Sequence, residues 1–486
     1  MGRRLTQMRK LNRQSLASVC VGAACVAIVL LCPVGGCERT DKPAESASKP
    51  IFLVASGDTA GWIMPCGCTA NQSGGLLRRG TYLAGLREKG ETLYLDAGGA
   101  AGGASEYHKV KFEAILRGER QMGVVAHNLG KSEVALGGEF LRDVAKRTNV
   151  TFLSANATDD AGQPLADSHV TVEKGGRRFA IVGVLSPKFA TAQVKVTDPR
   201  QAVLNAIAPL KGQYDSLVVL AYMPEDGLQQ LAASLPEADA VIGGSTGQAI
   251  APRPVGPTLL AAATNKGKFL VQLERSAGAT AWAGRVVEMG QSLADSPEQA
   301  VNLQAYLAEL EQRNFTAAQS GLAAALPPHL PAGYRIAGSA ACLSCHKDDH
   351  TSWAQSKHSH AWQTLEQKGM HVDNYCMQCH TTGFGLPGGF ESRTASIDLV
   401  NVGCESCHGP SQAHADKPKI RTAFAAADQC VRCHDHENSP AFVYGTYWPR
   451  IRHGETKTAS STWPSQLKLP AATTPSTAVT TAEDAR

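Results

Sequence analysis

Four times in the last third of the chain, two cysteines three residues apart are followed at once by histidine. The copies are Cys342-Leu-Ser-Cys345-His346, Cys376-Met-Gln-Cys379-His380, Cys404-Glu-Ser-Cys407-His408 and Cys430-Val-Arg-Cys433-His434. Two thiols at this spacing reach the two vinyl groups of a porphyrin and become thioethers, and the next residue swings its imidazole under the iron. Structural zinc would account for the cysteine pairs, since two such pairs make a Cys₄ ribbon, but it does not require histidine after each second cysteine. Disulfides give the histidines no role at all. Histidine is 15 of 486 residues, and at that frequency four would fall in the required place about once in a million chains. Four covalently bound c-type haems are therefore expected, held by Cys342, Cys345, Cys376, Cys379, Cys404, Cys407, Cys430 and Cys433, with His346, His380, His408 and His434 on iron.

Each iron needs a sixth ligand or leaves that position open to a small molecule. The region offers His350, His358, His360, His371, His414, His436 and His453, and composition does not choose among them. Twelve of the 15 histidines lie at or after His329, while aliphatic residues are sparse there. The porphyrins are expected to form much of the core.

The rest of the chain must carry and deliver this region. At 486 residues it is too long for one ordinary core. Its 43% hydrophobic and 19% charged residues are those of a globular protein. A net charge of +4, with no basic run interleaved with aromatics beyond the N-terminus, gives no ground for a nucleic-acid partner. The start, MGRRLTQMRKLNRQ, is basic, and SLASVCVGAACVAIVLLCPVGG is almost wholly apolar and small, the pattern of an export signal. The bulk of the chain is thus expected on the periplasmic side. Its end, Val34-Gly35-Gly36-Cys37, resembles the lipobox of bacterial lipoproteins, which implies lipid on Cys37 and a membrane anchor. The alternative is an uncleaved spanning helix.

A polar tether covers 38–50. Apolar runs IFLVAS, TLYLDAGG, VTFLSANA, RRFAIVGVL, SLVVLAY, DAVIGG and FLVQLE then alternate with helical stretches, which predicts an α/β layered domain over 51–290. A helix with Ser296 as N-cap and Pro297 in its first turn opens a helix-and-linker segment, 291–333, that ends at the Pro-rich LPPHLPAGY. The haem region follows over 334–457, mostly α-helical or irregular, and a tail over 458–486 is expected to be disordered.

From Cys342 to Gly454 the sequence resembles the cytochrome c-554 family of tetrahaem cytochromes, through CLSCHKDDHTSWAQSKHSHAWQTL, CMQCHTTGFGLPGGF, VGCESCHGPSQAH and CVRCHDHENSPAFVYGTYWPRIRHG. The resemblance implies distal ligands at His358, within the Trp353–Ser356–His358–Ala361 pattern, at His414 and, by a looser match, at His453. It also implies an open haem at His380 that takes a small ligand such as nitric oxide. His350, His360, His371 and His436 are assigned to the surface or to propionates, His360 and His371 being the nearest rivals as ligands.

Residues 51 to about 275 resemble the calcineurin-like metallophosphatases of the periplasmic 5′-nucleotidase branch, with the metal ligands almost all replaced. Asp58 remains, but Ala60, Gly99, Lys131, Ser132, Tyr222 and Gly247 stand where the family places Asp, Asn or His. The resemblance therefore implies the layered sandwich without phosphoester chemistry. Beside this turn, Cys66-Gly67-Cys68 is awkward for an internal disulfide and suited to a soft metal or a redox contact, an inert structural pair being the alternative. Ser73-Gly74-Gly75 with Arg78 and Arg79 could form an anion-binding turn.

The function these readings favour is an extracytoplasmic tetrahaem electron carrier that meets redox partner proteins. The alternatives are a redox enzyme acting on a small nitrogen or sulfur species at the His380 haem, and a ligand- or metal-binding protein working through its N-terminal domain.

Overall fold

In the strand Ile51–Ser56, Ile51, Leu53 and Ala55 face one hydrophobic cluster while Phe52 and Val54 face another, and all are buried. A strand apolar on both faces must be covered on both. The computed structural model describes residues 49–65, 72–276, 278–326, 328–422 and 426–454, and it supplies both covers.

Two six-stranded sheets stack face to face. The first runs in spatial order Ala283–Glu288, Phe269–Arg275, Ile51–Ser56, Glu91–Asp96, Val124–Asn128 and Phe152–Leu153. The second runs Ile250–Val255, Thr258–Ala262, Ala240–Gly244, Ser216–Tyr222, Arg177–Leu185 and His169–Lys174. Leu53, Leu93, Ile181, Val218 and Ile242 fill the space between them. Helices Gly75–Lys89, Glu106–Gln121 and Pro297–Arg313 cover the outside of the first sheet, and Pro199–Ile207 and Glu225–Ser234 the outside of the second. The result is a helix–sheet–sheet–helix sandwich. All seven expected apolar runs contribute strands, though VTFLSANA gives only Phe152–Leu153 before the chain turns into Ala157–Asp159.

Ser296 caps its helix as expected, its hydroxyl accepting from the Gln299 N–H. That helix does not act as a connector. Asn302 Nδ2 donates to the Ala114 carbonyl at 2.8 Å, and Leu303, Tyr306, Leu307 and Leu310 are buried against the sandwich.

Beyond it the character changes. Residues 334–454 form short helical turns with no sheet among the described residues. Trp362, Leu365, Met370, Val372, Met377 and Phe390 join the apolar cluster of the first sheet's outer face. After Phe390 no described hydrophobic side chain is buried. No helix among the described residues is long and apolar enough to cross a membrane. The N-terminal apolar run, Cys37 and the segment holding Cys66 and Cys68 lie outside the described residues.

Candidate haem sites and a remnant metal pocket

Each Cys-x-x-Cys-His motif winds as one helical turn. The His346 and His434 N–H groups donate to the carbonyls of Cys342 and Cys430 at 2.9 Å, and helices Asn374–His380 and Cys404–His408 contain the other two motifs. Residues i, i+3 and i+4 of a helix share a face, so the two thiols and the imidazole point the same way.

Tertiary structure then brings a second imidazole to three of the four. Ring centroids lie 6.2 Å apart for His346 and His414, 6.2 Å for His434 and His358, and 6.0 Å for His408 and His453. Two imidazole nitrogens each about 2.0–2.1 Å from one metal, with ring centres about 1.1 Å further out, place the centroids about 6.2–6.4 Å apart. The three pairs match the span of a bis-histidine iron. Ring orientation agrees with this. Nδ1 of His414, His453 and His380 donates to the carbonyls of Ile420, Ile451 and Ala361 at 2.8, 2.9 and 2.7 Å. A protonated Nδ1 leaves Nε2 free for metal. Burial lowers the pKa of His358, His380, His408 and His434, which favours the neutral ligand form.

His380 has no such counterpart among the described residues. His350 lies edge-on to Trp353, His371 to Trp362, His360 bonds through Nδ1 to the Ser356 carbonyl, and His436 is exposed.

The fit to porphyrin also shows in what the region lacks. Segments that bury no apolar side chains have no protein core, and flat apolar groups between the motifs would supply one. Zinc fits less well, because no three cysteine or histidine ligand atoms of this region converge within 4.8 Å among the described residues. Cys342 instead contacts Cys404, Cys433 contacts Cys379, and Cys407 lies within electrostatic reach of Cys430 and Cys433. The motifs thus follow the spatial order first, third, fourth, second. Glu405, in the middle of the third motif, is 3% exposed and accepts from the N–H groups of Ala337, Gly338 and Ser411. It pins the motif to the chain entering the region, a role that its place inside Cys-x-x-Cys does not advertise.

In the sandwich, Asp58, Ala60, Gly99, Lys131, Ser132 and Tyr222 line one cavity of about 260 Å³ with Ala101 and Ala135, while Gly247 is not among its lining residues. Asp58 is fully engaged: Tyr222 OH donates to Oδ1 at 2.8 Å, and Thr264 Oγ1 and the Ser245 N–H donate to Oδ2 at 2.8 and 2.9 Å. Burial raises its pKa in spite of these donors. A Cβ on Gly99 would fall 2.6 Å from Tyr222 Cε2 and closer still to Asp58 Oδ1. Any side chain at Gly99 would therefore compete with the Tyr222 ring for the same space. Asp58, Ala60 and Ser245 keep positive φ angles of 49°, 48° and 62°, costly for non-glycine residues.

Arg78 and Arg79 form no anion-binding turn. Arg78 bonds to the carbonyls of Gln72 and Met289. Arg79 is wholly buried, donating to Tyr94 OH at 3.1 Å and Thr59 Oγ1 at 2.9 Å, with Nη1 4.0 Å from Asp96 and 3.8 Å from Glu119. Both guanidinium groups are turned inward, Arg78 onto backbone carbonyls and Arg79 toward buried carboxylates. Asp96, Glu119 and His127 come within 4.8 Å of one another, the spacing of a metal site, but Arg79 already supplies positive charge. Burial, with Asp96, pushes Glu119 up to about 7. Burial alone would lower His127, yet Glu119 and Asp96 hold it well above its ordinary value.

Fold and motifs together define a multihaem c-type cytochrome region joined to a helix–sheet–sheet–helix sandwich. The family model for cytochrome c554 and c-prime matches residues 341–409. Cytochrome c-554 of Nitrosomonas europaea is 30% identical over 162 residues, covering 25% of this chain and 69% of that protein. The polyhaem cytochrome OmcB of Geobacter sulfurreducens is 31% identical over 87 residues, 17% of this chain and 12% of its own length. Through this region the chain belongs to the cytochrome c-554 family. The sandwich is similar to a 5′-nucleotidase precursor from Thermus thermophilus, with TM-score 0.47 and 21% identity over 55% of this chain and 60% of that one. It is also similar to the calcineurin-like phosphoesterase YfkN of Bacillus subtilis, with TM-score 0.46 and 17% identity over 54% and 97%.

Proposed function

We propose that this protein is an exported tetrahaem c-type cytochrome that transfers electrons, its sandwich retained without phosphoester hydrolysis. The observation that carries the reading is the set of three imidazole pairs 6.0–6.2 Å apart, each joining a motif histidine to one of His358, His414 and His453. Iron held between two imidazoles exchanges electrons without exchanging ligands. The eight motif cysteines would hold the groups covalently, and the thiol contacts support a path running first, third, fourth, second. Export, lipid on Cys37 and a redox or metal role for Cys66 and Cys68 belong to the same proposal, as do redox partner proteins at a membrane surface.

His380 favours a second reading. Without an opposing imidazole among the described residues, its haem would accept a small nitrogen or sulfur species. EPR and visible spectra of the purified holoprotein test both. Four haems, three low-spin and one high-spin that responds to nitric oxide or hydroxylamine, are expected. Four unresponsive low-spin haems leave a carrier alone, and a polypeptide mass equal to the bare processed chain removes both readings.

A further inference from the structure

The helix carrying the second motif begins at a buried carboxylate. Asp373 caps Asn374–His380, its Oδ1 accepting from the Tyr375 N–H at 2.9 Å, and its side chain is 5% exposed. An isolated carboxylate would not stay charged there. Its partners come from the sandwich side. Tyr107 OH donates to Oδ1 at 2.5 Å and Tyr306 OH to Oδ2 at 3.2 Å, while Lys111 Nζ stands 3.6 Å from Oδ2 and donates to Tyr107 OH at 2.9 Å. Tyr107 and Lys111 are one turn apart on Glu106–Gln121, and Tyr306 lies on Pro297–Arg313. Burial first, and Asp373 second, push both phenols well above the tyrosine range, so they act as donors at neutral pH.

The contact continues toward the motif itself. Lys111 Nζ sits 5.4 Å from the ring centre of Tyr375, which immediately precedes Cys376 and meets Trp62 edge-on at 5.2 Å. Asn374 Nδ2 donates to the Phe315 carbonyl at 3.0 Å. By contrast, the contact beside the fourth motif, Lys266 with Glu437, is one partly exposed ion pair.

We propose that the Lys111–Asp373 pair, locked by Tyr107 and Tyr306, is a positioning device through which the sandwich sets the place and reduction potential of the haem at Cys376–His380 separately from the other three. This rests on the tetrahaem reading. The pair's two charges nearly cancel at a distance. Removing one leaves the other uncompensated in a site shielded from water, where charge acts far more strongly than in solution. Residual positive charge favours the electron-rich ferrous state, and residual negative charge favours the ferric state.

The test uses the full-length holoprotein, titrated potentiometrically with EPR detection. The second haem is identified as the signal missing from a Cys376→Ala/Cys379→Ala variant. Lys111→Met should lower the potential of that haem, Asp373→Asn should raise it, and the double variant should return it close to the starting value, with the other three unmoved. A merely structural role moves both single variants the same way. Shifts of one sign, shifts shared by all four haems, or no shift with four haems bound overturn the proposal. Should the charge variants lose haem, Tyr107→Phe keeps charge and shape and should lower the second potential by a smaller step; no shift there is equally fatal. Fewer than four haems in the unsubstituted protein sinks the tetrahaem reading instead.

Discussion

The strand Arg177–Leu185 buries seven consecutive residues, whereas no described hydrophobic side chain from Glu391 to Gly454 is buried. The first region makes its own core, and its buried carboxylates are met by protein groups: Tyr222 on Asp58, Arg79 beside Asp96 and Glu119. The second keeps every cysteine and histidine a haem requires and little else. One region is held together by its own apolar core; the other carries the residues of the haem motifs and depends on what they hold.

The comparison breaks most sharply at the third motif. Cys404→Ala with Cys407→Ala should release one haem and leave residues 391–454 open to limited proteolysis while the sandwich resists; protection of both regions would put the core elsewhere. Next comes Arg79→Met, which leaves two buried carboxylates, Asp96 and Glu119, facing the single charge of His127. Breaking such a pair costs about 3–5 kcal/mol, measurable as a lowered urea midpoint by far-UV circular dichroism. Gly99→Asp should cost about 1–3 kcal/mol by overpacking and bind no manganese in equilibrium dialysis, since Tyr222 fills the space. Adding Tyr222→His should recover part of the loss.

A gentler probe is pH. Unfolded, Glu119 loses its proton near 4.5, while the folded group holds it to about 7. Between those values the folded state binds more protons, so the contribution of Glu119 is present below pH 4.5 and is lost as pH rises to about 7. Glu119→Gln should flatten that decline in urea-unfolding stability, and an unchanged slope would assign it to another group. The smallest effect belongs to Lys266→Ala, which removes a partly exposed pair with Glu437 and should change stability by about 0–1 kcal/mol.

Much of both regions was legible beforehand. Alternating and continuous apolar runs marked the buried strands, and Ser296-Pro297 marked a helix start. Among the strands not read from the sequence, Val124–Asn128 ends in His127 and Asn128, polar residues whose burial depends on Glu119 and on the carbonyls of Ala97 and Val184. Arg78 and Arg79 looked like surface ligands because the carboxylate that meets Arg79 most closely, Glu119, lies on a different helix. Asp373 carried a local signal, an N-cap ahead of a helix, but nothing local foretold its three partners.

The sequence by itself determined which cysteines and histidines can grip a haem, because that geometry is confined to one helical turn and a covalent bond. Three candidate distal histidines came only from the resemblance to the cytochrome c-554 family. Only the tertiary structure decided that His414 faces His346, His453 faces His408 and His358 faces His434. Such pairings depend on how distant turns pack, and no spacing along the chain encodes them. The same holds for Tyr222 over Asp58 and for Asp373 among Tyr107, Lys111 and Tyr306: each is a contact made by folding, between residues that give no local sign of one another.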